Sequence, residues 1–556
     1  MKNKYFILIF LMAAQISLAY GQWSTDPENP GIVCDAGGLQ INPQAFADDD
    51  GGVYVFWLDN RLNAPYAHEV YGQHYDANGY ALWEEDGRLI LNHSTKINWF
   101  NASRIYNGEI IIGWLTSEVI GTDSLWVQRL DENGSKIWAD DLPVANAGML
   151  PDYILGMYGY YIIHDNSGYC ISIGTVYFGG SSGNRISRFT SDGILTGRYN
   201  GEPEGTQYNF GSSGLQSAFD ASDNIYIYYS TGNGSGAELM CLKVNTAGDT
   251  LWGPVAVLEG TQGLAYQFSG ISDEEGITFV WQGYGDGGDG TNLYARRLNA
   301  DGSRAWNETT MPVCVADGTQ GNFFWKRSGD NYYITWADAR PGTDPGFYDI
   351  FARKFDANGA VYWTENGVPV ASLNTYLPYP EFDFSDDNSM IICHQSTAAG
   401  FVAQKVNDDG TIAWDEDGNM ICTSINAPFY AEHVEVRSGG KVISVWAKSN
   451  PSGGSDNIFI TRVDDAGTVG IKELKENQIH IYPNPATDEI TLVLPGTMDN
   501  AELNLYDFSG KVLRNFLLTS IPGNSLRIST NGLSSGTYLL RIKTDHENIS
   551  HKLIVK

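Results

Sequence analysis

Asp76-Ala-Asn-Gly79-Tyr-Ala-Leu-Trp83 is one copy of a phrase that returns down the chain. It reappears as Asp131…Gly134…Trp138, Asn245…Gly248…Trp252, Asn299…Gly302…Trp306, Asp356…Gly359…Trp363 and Asn407…Gly410…Trp414. Two degenerate copies, Thr190…Gly193 and Asp464…Gly467, lack the tryptophan. Successive starts lie 55, 59, 55, 54, 57, 51 and 57 residues apart, too regular for chance. The phrase has the chemistry of a hairpin turn. Asp or Asn at its first position can bond nearby backbone N–H groups, and glycine three residues on takes the left-handed conformation without steric cost.

Upstream of each turn lies an apolar run: Val53–Trp57, Ile110–Trp114, Tyr169–Ile173, Ile225–Tyr229, Ile277–Trp281, Tyr332–Trp336, Met390–His394 and Val442–Trp446. Apolar residues at nearly every position imply a strand covered on both faces. Each unit therefore reads as four strands: one before the run, the run, the strand entering the hairpin and the strand after the tryptophan. Such units predict an all-β chain built around an eight-bladed β-propeller. A string of Ig-like modules would need about 100 residues per unit. The ends of the repeat agree: Trp23–Cys34 resembles the strands Trp306–Cys314 and Trp414–Cys422, whereas the eighth unit stops near Gly470 without one. An N-terminal strand in the vacant last place would close the ring and leave no sheet edge. If the degenerate third unit is misread, the count becomes seven or nine. The turn is similar to the Asp-box of sialidase-like propellers, but tryptophan follows glycine by four residues here rather than three. Shared hairpin physics accounts for that likeness without membership.

The flanks read differently. Met1–Gln22 combines Lys2 and Lys4, the apolar stretch Phe6–Leu18 and the small-x-small site Ala19-Tyr20-Gly21, the pattern of a cleavable signal peptide. Its apolar run is short of the ~20 residues of a membrane span, and no later segment could serve as one. The propeller is expected over 23–470, with a short charged linker at 471–478. From Ile479 the strands Glu489–Leu494, Ala501–Asp507, Lys511–Leu518, Leu526–Ser529, Thr537–Ile542 and Lys552–Val555 suit a small β-sandwich.

Four blocks in that tail are specific: Tyr482-Pro-Asn-Pro-Ala-Thr-Asp488, Leu505-Tyr-Asp-Phe-Ser-Gly-Lys511, Leu533-Ser-Ser-Gly-Thr-Tyr-Leu-Leu-Arg-Ile542 and Lys552-Leu-Ile-Val-Lys556. Residues 479–556 thereby resemble the C-terminal sorting domain of type IX secretion cargo. The resemblance implies an Ig-like sandwich handled by the type IX secretion machinery. It also implies a destination outside a Gram-negative cell, either free or on the outer-membrane surface.

Acidic residues number 66 against 34 basic, a formal net charge of −32. The signal peptide, linker and tail leave 23 bases and 57 acids to residues 23–470. So anionic a surface repels nucleic acid and anionic lipid. A neutral sugar or Ca²⁺ suits it better.

Candidate site residues are those that depart from, or elaborate, the repeat. Trp57, Trp114, Trp281, Trp336 and Trp446 close the apolar runs and lead into loops on one face, where indoles could stack on sugar rings or simply pack between blades. Two units extend the pattern to Trp57-x-Asp59-x-Arg61 and Trp336-x-Asp338-x-Arg340. There Asp and Arg could pair with each other or hold glycan hydroxyls and carboxylates. His394 replaces the tryptophan in its unit and is the one candidate base. Asp286, Asp289 and Asn292 put oxygen ligands in a glycine-rich loop, as calcium prefers, though without the spacing of an EF-hand. A basic residue two positions before every turn start (His74, Arg129, Arg188, Lys243, Arg297, Lys354, Lys405, Arg462) reads as a structural strand partner. The six cysteines read as buried free thiols. Together these features favour a module that binds an extracellular glycan or a surface protein, with no cofactor required. The alternative is a polysaccharide lyase or glycoside hydrolase acting at the propeller axis.

Overall fold

The computed structural model describes residues 23–463 and 480–556 apart from loop stretches, the longest being 201–214; within 144–189 and 195–215 it describes backbone only. The expected signal peptide, 1–22, and the expected linker, 471–478, lie outside the described residues. Two compact units emerge, Met1–Thr468 and Val469–Lys556. Both are β throughout, with no α-helix among the described residues and no helix long and apolar enough to cross a membrane.

The first unit contains eight antiparallel sheets among its described residues. Sheet one comprises Gln40–Ala47, Val53–Asp59, Glu69–Tyr75 and Arg88–Leu91 in that spatial order. Sheets two and four to seven repeat the plan, and sheet three carries a fifth short strand. The second strand is the apolar run of each unit, and Val53–Asp59 is buried at every position. Sheet eight takes three strands from the end of the unit, His433–Ser438, Lys441–Lys448 and Asn457–Val463, and its fourth, Gly31–Cys34, from the start. In that last pairing Gly31 lies opposite Ile460. The first strand of each sheet touches the first strand of the next, and sheet eight returns to sheet one. The first strands therefore make the inner circle of a closed ring, and the fourth strands make its rim.

Side chains of the recurring phrase weld neighbouring sheets. Asp76 Oδ1 accepts from the backbone N–H groups of Asn78 (2.9 Å) and Tyr80 (2.8 Å), and Gly79 sits at φ +85°. That glycine faces a tryptophan from the preceding sheet. A Cβ on Gly134, Gly302, Gly359 or Gly410 would lie within about 3 Å of Trp83, Trp252, Trp306 or Trp363. Three of these indoles also donate to the turn they cover: Trp252 to Ala300 O (2.9 Å), Trp306 to Ala357 O (2.9 Å) and Trp363 to Asp408 O (3.2 Å). The eighth phrase has no tryptophan, and Trp23 supplies it. Trp23 covers Gly79 and donates to Ala77 O at 3.1 Å.

In five sheets the basic residue ahead of the turn meets an acid from the bend between strands one and two of its own sheet. His74 pairs with Asp48 (2.8 Å), Lys243 with Asp220 (2.7 Å), Arg297 with Asp273 (2.6 Å) and Lys405 with Asp387 (2.8 Å). Arg129 pairs with Glu109 in the same way. Lys354 differs, reaching Asp408 in the next sheet at 2.6 Å.

The second unit is a sandwich of a three-stranded and a four-stranded antiparallel sheet. Ile490, Leu492, Leu503, Leu505, Ile528, Leu540 and Leu553 fill it, drawn from alternating positions of the tail's strands.

Candidate functional site

The five run-closing tryptophans, Trp57, Trp114, Trp281, Trp336 and Trp446, are fully buried. An indole with no exposed face cannot receive a sugar, which corrects their expected role: they fill the space between sheets. The two extended motifs are likewise internal. Trp57 Nε1 (2.9 Å) and Arg61 Nη2 (2.6 Å) both donate to Asp59 Oδ2, and Asp59 is buried. Trp336 Nε1 (2.8 Å) and Arg340 Nη2 (2.6 Å) do the same at Asp338 Oδ2, while Arg340 Nε takes Oδ1 at 2.9 Å. Each guanidinium lies over an aromatic ring, Tyr71 at 4.0 Å and Phe351 at 3.6 Å. Each also touches a thiol on the fourth strand of the preceding sheet, Cys34 (2.9 Å) or Cys314 (3.6 Å). With every carboxylate oxygen already taken, these residues rivet sheet eight to one and sheet five to six rather than hold a ligand.

His394 is buried too, and burial holds its imidazole down at about 4, so it stays neutral and enclosed. A base without access to solvent cannot meet a polymer, so the catalytic reading of His394 falls. Asp286 and Asp289 lie outside the described residues. Asn292 is buried, with its Oδ1 accepting from Ala316 N at 3.3 Å. Cys34, Cys241, Cys314, Cys393 and Cys422 are buried free thiols, and burial pushes Cys34, Cys314 and Cys422 up to about 12.

The structure assembles a different group, where the inner strands of sheets seven and eight begin. Glu381 opens Glu381–Phe384 and His433 opens His433–Ser438, with Glu435 two residues on and so on the same strand face. His433 Nδ1 lies 3.3 Å from both carboxylate oxygens of Glu435, and Ser444 Oγ donates to Glu435 Oε1 at 2.9 Å. His433 also hydrogen-bonds the backbone of Tyr379. Ligand atoms of Glu381, His433 and Glu435 all fall within 4.8 Å of one another, the one such group of three among the described residues. From sheet six, Lys326 Nζ reaches across to Asp383 Oδ2 (2.6 Å) and the Glu435 carbonyl (3.3 Å).

Burial pushes the Glu381 carboxyl up to about 7, with Glu435 adding to the rise and His433 opposing it. Burial disfavours charge on His433 as well, but Glu435 and Glu381 outweigh it and hold the imidazole above its ordinary range. Two carboxylates and an imidazole so placed can exchange a proton or ligate a cation.

Two aromatics at the same end of the inner strands face solvent. Trp99, on Ile97–Arg104 of sheet two, is 43% exposed, and Tyr379, just before Glu381, is 37% exposed. Trp99 is the one exposed tryptophan of fifteen. It lies outside the repeated positions and so escapes a search built on them. A comparison of first strands between units finds it together with the buried Trp325.

Residues 480–556 match the secretion system C-terminal sorting domain. Such a tail implies recognition by the type IX secretion machinery and a place at the cell surface or beyond it. No curated protein matches the chain in sequence. Among solved structures it is similar to a polysaccharide lyase of family PL25, an ulvan lyase, at 11% identity over 70% of this chain and 97% of that one (TM-score 0.40). It is also similar to the α-L-arabinofuranosidase Arb93A of Fusarium graminearum, at 8% identity over 54% and 91% (TM-score 0.33). A protein of unknown function from Dyadobacter fermentans matches at 11% over 58% and 96% (TM-score 0.32). Likenesses this distant assign no activity.

Proposed function

We propose that residues 23–470 are an eight-bladed β-propeller which, once exported, binds an extracellular glycan at the inner-strand end that bears Trp99. The exposed indole carries this reading. In a chain that buries or half-buries its other fourteen tryptophans, one is left 43% exposed on an inner strand, where an aromatic face suits the C–H side of a sugar ring. The acidic surface favours a neutral glycan over a polyanion. Glycan-array screening of the mature chain, followed by titration of the hit against intrinsic fluorescence, tests it. Trp99→Ala should abolish the fluorescence change and weaken binding at least tenfold. Equal binding by the variant would refute the assignment.

A second reading, polysaccharide cleavage, rests on Glu381, whose carboxyl is pushed up to about 7 beside Glu435, as a general acid next to a second carboxylate would require. Depolymerisation of the bound glycan, lost in Glu381→Gln, would place the enzyme reading first.

A further inference from the structure

We propose that Glu381, His433 and Glu435 bind one divalent transition-metal ion, for which Zn²⁺ is the fitting probe. The donor set is an imidazole and two carboxylates, which suits a borderline ion better than Ca²⁺, whose ligands are oxygens. The spacing is close. Zinc–ligand bonds of about 2.0–2.2 Å in a tetrahedral site place donor atoms about 3.3–3.6 Å apart, and the three donors, which lie within 4.8 Å of one another, reach that by drawing together by up to about 1 Å.

The surroundings are those a metal site requires. Ligating histidines are oriented by a hydrogen bond from the ring to a carbonyl or carboxylate, and ligating carboxylates by a donor of their own. His433 has its bond to the Tyr379 backbone, and Glu435 has the Ser444 hydroxyl at 2.9 Å. The neighbouring cation does not fill the site: Lys326 is taken by the Asp383 carboxylate at 2.6 Å and reaches only the main chain of Glu435.

A further observation points the same way. His394, on the strand beside Glu381, is buried, its Nδ1 has no hydrogen-bond partner, and charge on His433 opposes charge on its ring. A buried polar atom without a partner needs an explanation, and a water held on an ion in the adjacent cluster would supply the missing donor. Three protein ligands would leave a position open to water or to a hydroxyl of a bound ligand. A cation here keeps Glu381 deprotonated, so the site and the general-acid reading exclude each other.

The test uses the mature chain, stripped with chelator and dialysed against ZnCl₂. Metal content by mass spectrometry and calorimetric titration should give one equivalent per chain. Glu381 is only partly buried, so Glu381→Gln should fold while losing the stoichiometric site. Ser444→Ala, which removes only the hydroxyl behind Glu435, should weaken affinity by about 10–100-fold. Trp99→Ala should leave zinc uptake unchanged, which keeps this result separate from the glycan reading. No retained zinc, or zinc uptake indifferent to both Glu381→Gln and Ser444→Ala, would show the triad to be a self-sufficient ion pair and overturn the proposal.

Discussion

Removing the indole of Trp23 should open the ring at its seam. Trp23 is 7% exposed, packs against Tyr75 at a ring separation of 5.7 Å, covers Gly79 and donates to Ala77 O at 3.1 Å. Truncating a buried tryptophan costs about 3–5 kcal/mol, including the cavity left behind. The segment it anchors is otherwise held to sheet eight by a strand of four residues, Gly31–Cys34, and by the Thr461 hydroxyl, which donates to Ser24 O at 2.5 Å. Most of the loss therefore falls on one local equilibrium, release of the closing strand from Asn457–Val463. Amides of Asn457–Val463 that face Gly31–Cys34 should exchange with deuterium about two to four decades faster in Trp23→Ala, at 1.4 kcal/mol per decade. Trp363→Ala, which removes the same clasp between sheets six and seven, is the control and should leave those amides protected. Unchanged exchange at Asn457–Val463 in Trp23→Ala would refute the idea that the clasp holds the ring shut.

Gly87 sits at φ +87° with an added Cβ 2.4 Å from the Trp57 ring, so Gly87→Ala should cost about 2–4 kcal/mol in urea unfolding, from backbone strain and overpacking together. Asp338→Asn leaves the Arg340 guanidinium without its counter-charge and should cost about 3 kcal/mol, while a neutral effect would mean the rivet is incidental. Burial opposes charge on Asp220, Asp273 and Asp387, yet their Lys243, Arg297 and Lys405 partners outweigh it and hold these carboxyls below the ordinary range. Their stabilisation is thus complete above about pH 5 and is lost as pH falls through the folded-state values. The urea midpoint should stay flat from neutrality to about pH 5 and then drop, less steeply in Asp273→Asn. Iodoacetamide should leave the described cysteines unmodified in the native chain at pH 8, since burial both shields the thiols and keeps them protonated, and intact mass reports any exception.

The period, the hairpins and the vacant fourth strand of the last unit were legible because turn chemistry is local: an Asp, a Gly and their spacing decide a bend without help from elsewhere. The basic residue ahead of each turn was legible as a structural partner for the same reason. What repetition could not tell was which face of a strand looks outward. Trp57 and Trp336 recur at a position that leads into a loop, yet the preceding sheet lies over them, and a linear spacing does not contain that neighbour. Glu381 and His433 were invisible for a related reason. They start strands in different units and meet only because the inner strands of adjacent sheets touch, so no spacing within one unit marks them. Trp99 stands on an inner strand outside the repeated phrase, and since the inner strand of sheet six also carries a tryptophan, the buried Trp325, the residue type on that strand does not mark the exposed one.

Closure by the N-terminal strand has a consequence for how the chain reaches this state. Gly31 meets Ile460 across nearly the whole unit, a loop roughly eight times one repeat, and chain entropy makes its closure cost about 2 kcal/mol more than joining adjacent repeats. Until it closes, Asn457–Val463 presents a bare edge, and the missing strand can come from another molecule as readily as from its own. Refolding at high concentration should therefore yield exchanged dimers in which two rings trade their first dozen residues. Such dimers would be native in every sheet and wrong only in connectivity.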